Sequence, residues 1–163
     1  MSLRELDRTA LAIFLNTSKT ETKIFSLIGE GVQEQTINYN PEEEDKHYVH
    51  EKSGRTKFKA VTPTIPTPQE AIKGSAVFDY VDELRRKRAV ASDAKTECLI
   101  VYPYIEETAG KYAAELCECT IIYQDFGGAA PDLLLNFDIK LNGDPKFGVA
   151  SITDGVATFT QEA

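Results

Sequence analysis

From Leu133 to Leu141 the chain alternates without a break. Leu133, Leu135, Phe137, Ile139 and Leu141 take one side; Leu134, Asn136, Asp138 and Lys140 take the other. Successive side chains of an extended strand point to opposite faces, so residues 132–142 read as a half-buried strand with one wet face. Such a strand needs sheet partners, and the chain supplies them. Residues 10–16, 22–28, 32–39, 96–104, 112–126 and 155–161 all read as strands. Turn chemistry lies at Asn16-Thr17-Ser18-Lys19 and at Asn142-Gly143-Asp144-Pro145, with a break at Gly29-Glu30-Gly31. Lys57 to Val61 looks extended, and Pro63, Pro66 and Pro68 exclude a central strand beyond it.

One helix stands out. Ser75 is suited to cap it, and Val77, Val81 and Leu84 recur at i, i+4 and i+7. Asp79, Asp82 and Glu83 precede Arg85, Arg86, Lys87 and Arg88, an order that complements the helix dipole. That order alone accounts for the basic run as a solvated helix end; contact with an acidic partner surface is the functional alternative. Many strands, one helix and several turns specify a mainly β fold, an antiparallel β-sandwich or barrel with one flanking α-helix. The 163 residues suit a single domain spanning 1–163. Between Asn40 and Arg55 the sequence is polar and offers almost nothing to a core, so 40–56 reads as a long extended loop.

The net charge of -8 disfavours binding to nucleic acid or to an anionic membrane. No run approaches the ~20 apolar residues of a membrane span, and the opening MSLRELDRTALAIFLN lacks a signal-peptide core. The expectation is a chain made in a cytoplasm and soluble there. Three cysteines, Cys98, Cys117 and Cys119, do not make a disulfide framework. Cys117 and Cys119 share a strand face and read as small core residues, although a thiol pair could bind metal or be redox active. His47-x-x-His50 lacks a third ligand at zinc-site spacing. There is no P-loop, dinucleotide fingerprint or Gly-x-Ser-x-Gly, and both histidines lie in the polar segment. No enzyme and no cofactor is expected.

Three stretches carry a resemblance. They are AIFLNTSKTETKIFSLIGEGVQEQTINYNPEEE from Ala12, KAVTPTIPTPQEAIKGSAVFDYVDELRRKRAV from Lys59, and QDFGGAAPDLLLNFDIKLNGDPKFG from Gln124. In this order they resemble the tail-tube (major tail) proteins of phages of Gram-positive hosts, over most of the chain. Gly74-Ser75-Ala76 stands where that family has Gly-Asp-Pro before the helix, a departure that keeps a capping residue. The resemblance implies a structural subunit that forms rings, typically hexameric, stacked into a hollow conduit for DNA delivery. It implies a virion tail as the location, and as partners the chain itself with tape-measure, tail-terminator and baseplate proteins. DNA would transit the lumen without specific binding. A long loop in such proteins commonly reaches a neighbouring subunit, which makes 40–56 the expected inter-subunit arm.

The contact residues expected on that basis are Asn40, Pro41, Glu42, His47, Tyr48, His50 and Arg55 in the arm, with Arg85 and Arg86 at the helix end. Glu115, Glu118 and Asp138, on the long late strands, are the candidates for a lumen lining, each also readable as part of an ordinary solvated face. Screening confines their repulsion of DNA to about 8 Å at physiological ionic strength, so they would act as an anti-adhesive layer. A sandwich of this length is also expected to leave strand edges for neighbouring copies to pair. The alternative is a monomeric β-sandwich module that binds a ligand or receptor, which the absence of tryptophan and the scattered tyrosines disfavour.

Overall fold

The computed structural model describes residues 3–162. Strands β1 (Ala12–Asn16), β2 (Phe25–Leu27), β3 (Glu42–Lys46), β4 (Arg55–Ala60) and β5 (Thr64–Glu70) precede helix α1 (Ala76–Arg86). Strands β6 (Lys95–Thr108), β7 (Lys111–Gly127), β8 (Leu134–Thr153) and β9 (Val156–Gln161) follow it. The main sheet runs β5-β8-β7-β6-β1-β2-β9, antiparallel throughout, and β9 also pairs with β8. That last pairing closes β1, β2, β9, β8, β7 and β6 into a barrel, with β5 continuing along the other half of β8. The fold is mainly β with a flanking helix, as the sequence indicates.

The length of β8 makes this possible. On one edge its first half pairs with β5 and its second half, from Gly148 to Thr153, pairs with β9. Its other edge follows β7 from Leu134 to Ala150, on both sides of a bulge. The expected turn at Asn142-Gly143-Asp144-Pro145 is instead a bulge. Asn142 opposes Glu118 and Lys146 opposes Leu116, so Gly143, Asp144 and Pro145 loop out opposite Cys117. The unbroken β7 holds both halves of β8 in one ladder, overriding the local turn preference. The chain reverses at Asp154-Gly155, both with positive φ (51° and 77°), in the manner of a two-residue hairpin turn.

Two cores lie on opposite faces of the sheet. Phe14, Phe25, Leu99, Val101, Ala114, Leu116, Ala150 and Ala157 pack within the barrel. Ile13, Leu15, Cys98, Ile100, Cys119, Ile121, Leu135, Phe137 and Ile139 pack on the other face, under Val77, Phe78 and Val81 of α1. Strands β1 and β6 therefore feed both cores, which explains their continuous apolar runs.

Residues 32–39 do not form a strand; their single bridge pairs Asn38 with Thr64. The reason lies in β5. The Thr64 N–H donates outward to Asn38 O (2.8 Å) and the Glu70 N–H to Gly31 O (2.9 Å). The positions between them whose N–H groups would point the same way are Pro66 and Pro68, so no ladder can form. The same prolines blunt the sheet margin against strand addition.

Helix α1 begins after Ser75, which makes no side-chain capping hydrogen bond, contrary to expectation. It ends in a Schellman pattern: the Ala89 N–H donates to Leu84 O (3.0 Å) and the Arg88 N–H to Arg85 O (3.1 Å). Arg88 holds the left-handed position (φ 54°) that glycine normally fills. We expect Arg88→Gly to stabilise the chain by about 1 kcal/mol, read as a rise of about 2–4 °C in thermal midpoint.

Candidate functional site

The segment expected as a loop is a β-hairpin. Strands β3 and β4 form their own two-stranded sheet, and neither buries a side chain. The polar composition is what a hairpin projecting into solvent requires. Its base is tied to the barrel. The Thr62 N–H donates to Tyr39 O (2.9 Å), and Asn40, itself at positive φ, donates through Nδ2 to Thr62 O (3.0 Å) and Thr64 Oγ1 (3.3 Å). Beneath it the Tyr102 hydroxyl donates to Glu115 Oε1 (2.8 Å). Burial, then the Glu115 carboxylate, push the Tyr102 phenol far above its ordinary range. Pro41 and Glu42 lead into β3.

At the tip Arg55 Nε donates to Glu51 Oε1 (2.8 Å) and its guanidinium lies 5.7 Å from the Tyr48 ring centre. His47 Nε2 hydrogen-bonds Glu51 O (2.8 Å), and His50 stacks on Tyr48. The two strands differ in their faces. Glu44 opposes Lys57, Lys46 opposes Arg55, and Lys59 approaches Glu42 (3.8 Å) and Glu44 (4.0 Å), all on one face. The other face carries Glu43 opposite Phe58 and Asp45 opposite Thr56. Phe58 is 63% exposed there.

The helix end is more self-contained than the sequence implies. Arg85 donates to Asp82 through Nη2 (2.6 Å) and Nε (3.2 Å) and lies 4.1 Å from the Phe126 ring centre, so it is largely committed within the chain. Arg86 shares Asp82 (3.2 Å) but stays exposed. Lys87 (2.6 Å) and Lys19 both pair with Glu83.

The three acids proposed for a lumen do not lie together. Glu118 and Asp138 share the sheet face turned away from α1, where Glu97 opposes Glu118 and Gln124 Nε2 donates to Asp138 (3.0 Å). Glu115 is an odd number of residues from Glu118 on one unbroken strand, and it lies on the other face under Tyr102. Glu97, paired with Lys23 (2.7 Å), belongs to the polar face and escapes a reading centred on the late strands. Its position two residues before Leu99 is the signal that would have found it.

No protein-family model and no curated protein matches the chain. Among solved structures it is similar to a chain from the tail of an empty GTA particle, computed with helical refinement and C6 symmetry. The TM-score is 0.61 at 15% identity, covering 88% of this chain and 98% of that one. The chain shares the fold of that tail chain.

Within this tail fold the cysteines are core residues. Cys98 opposes Cys117 across β6 and β7, Cys119 lies two residues on, and all three are buried free thiols. Burial is the main cause that raises each pKa, with Cys117 pushed up to about 12 from 9.0. Above pH 9 the unfolded chain loses these protons while the folded chain keeps them, so stability falls as pH rises. We expect the thermal midpoint to hold up to about pH 8.5 and fall beyond it. Cys117→Ala should make that fall shallower while Cys98 and Cys119 keep their share of it, measured by melts across pH 8–11.

Proposed function

We propose that the chain is a structural subunit of a phage or phage-derived tail tube, assembling into rings that stack into a conduit for DNA. The observation that carries this is the fold likeness to a tail chain over nearly the full length of both. The hairpin supports it independently. A two-stranded hairpin with no buried side chain is marginal alone in water. An arm of this kind, tied down only at its base, suits contact with another copy.

The sheet margins expected to pair with neighbours are mostly used by the chain itself. Strand β9 joins both β2 and β8, and β5 presents Pro66 and Pro68 outward. Assembly therefore falls to the arm and to the surface around the helix end, with Asn40, Pro41, Glu42, His47, Tyr48, His50, Arg55 and Arg86 as contact residues and Arg85 holding the helix end in place. Six-membered rings follow the C6 symmetry of the similar tail. Ring stacking is a head-to-tail contact that does not close, and so propagates as a filament. In this role the chain is structural rather than catalytic. It resides in the virion tail and meets tape-measure, tail-terminator and baseplate proteins, as in tubes of phages of Gram-positive hosts.

The face bearing Glu97, Glu118 and Asp138 is the lumen lining in this reading, and Glu115 is reassigned to the base of the arm. Glu118→Lys should leave tubes intact and slow DNA passage, scored as infectivity of assembled particles; unchanged infectivity would remove Glu118 from the lumen. The assembly reading is tested by sedimentation velocity over a rising concentration series. Large species should replace the monomer, whereas a monomer at every concentration would return the chain to the class of solitary binding modules.

A further inference from the structure

We propose that the Phe58 face of the arm docks in the cleft beside the C-terminal end of α1 in a neighbouring copy. This rests on the tube reading and names the two surfaces that meet.

The donor surface is specific. Phe58 stands exposed with Glu43 directly opposite and Asp45 beside Thr56 on the same face. The acids of the opposite face are answered within the hairpin by Lys57 and Lys59. Glu43 and Asp45 make no ion pair among the described residues, and Asp45 accepts only from the Thr56 hydroxyl (2.7 Å). The hairpin therefore has a self-neutralised side and a side offering one aromatic ring flanked by two carboxylates.

The acceptor is the complement of that pattern. A cleft of ≈ 460 Å³ opens beside the end of α1, with Leu84 and Val90 among its apolar walls and Lys19, Lys87, Arg88 and Lys95 around it. Its acids are Glu83, shared by Lys19 and Lys87, and Asp93. Four cations against two carboxylates make it a basic site on a chain of net charge -8. Val90 is 68% exposed, an uncovered apolar residue where an aromatic anchor would rest. Two non-glycine residues, Arg88 (φ 54°) and Ala91 (φ 53°), hold left-handed conformations around the cleft's edge.

Magnitudes favour contact over repulsion. The net charges of two copies are screened beyond about 8 Å at physiological ionic strength, while facing charges in a desolvated contact are not. Interfaces draw most of their energy from a few aromatic and arginine anchors enclosed by less critical contacts. Phe58 and Arg88 are residues of those types. The charge pattern fixes which face of the hairpin enters the cleft.

The test mixes full-length chains. One carries Thr56→Cys, on the Phe58 face of the arm, and the other Ser92→Cys, beside Val90, so both anchors stay in place; a short bismaleimide is added, and the native thiols are buried. A covalent dimer should form in the mixture and be at least about tenfold weaker with either chain alone. Adding Glu43→Lys with Asp45→Lys to the arm, or Lys87→Glu with Arg88→Glu to the cleft, should each cut the yield about tenfold. Combining the two reversals should restore it. All these positions are on the surface, and thermal melts confirm that each variant is folded. Tubes that form without this cross-link, or without the charge dependence, would overturn the docking and leave the tube reading standing. Cross-links without higher assembly would support the docking and count against the tube. A chain that neither cross-links nor assembles would overturn both.

Discussion

Replacing residues 42–60 with a short Gly-Ser turn should abolish assembly while leaving the barrel folded. Glu42 and Ala60 oppose each other at the base of the hairpin, so a few residues bridge the gap. No side chain of β3 or β4 contributes to either core, and the anchoring bonds of Tyr39, Asn40, Thr62 and Thr64 lie outside the deletion. The thermal midpoint should therefore move by no more than about 2 °C, within the range of surface changes. Sedimentation velocity at concentrations where the intact chain forms large species should show only monomer. A deleted chain that assembled normally would show that subunits meet elsewhere. A deleted chain that unfolded would show that the arm belongs to the folding unit.

Gly148→Val should be the most damaging single substitution on the barrel seam. Gly148 opposes Gln161 where β9 joins β8. A Cβ built there meets the Gln161 Cα and the Phe159 ring edge at 2.9 Å, and crowds the Thr160 carbonyl oxygen. These are mostly backbone contacts that cannot swing aside, so relief requires β9 to leave β8. Overpacking of this kind costs about 3 kcal/mol or more, a fall of about 10 °C in a chain of this size. Gly29→Ala is the control, since its added carbon meets only Leu27 at 3.7 Å and should change the midpoint little. Equal melting of both variants would mean that β9 does not close the barrel.

Most elements were legible because the cores impose local periodicity. The alternation from Leu133 to Leu141 reports a strand with one buried face, and Leu135, Phe137 and Ile139 are indeed buried. Leu133 is exposed because it precedes β8. Val77 and Val81 mark the buried stripe of α1, and the prolines mark β5 as marginal. In sequence the arm reads as a loop, because an exposed hairpin has no apolar face and hence no periodic signal. The bulge at Gly143–Pro145 reads as a turn because its residues favour turns locally, and only the continuity of β7 decides otherwise. Barrel closure depends on β9 meeting both β2 and β8 in particular registers, which no local pattern encodes.

The candidate site was legible in part. The polar run 40–56 and the basic run after Glu83 stand out in the sequence, and strand parity alone separates Glu115 from Glu118. The pairing of Glu43 with Phe58 could not be read, because register in a hairpin is set by the turn and by a bulge between Glu42 and Glu43. The commitment of Arg85 to Asp82 and Phe126 depends on β7 lying beside the helix, a contact between distant segments.

Electron microscopy of the concentrated full-length chain bears most directly on whether this molecule builds a tube. Hollow filaments should appear, with regularly stacked rings and a sixfold end view. A field of separate barrels at every concentration, with arms contacting nothing, would contradict it.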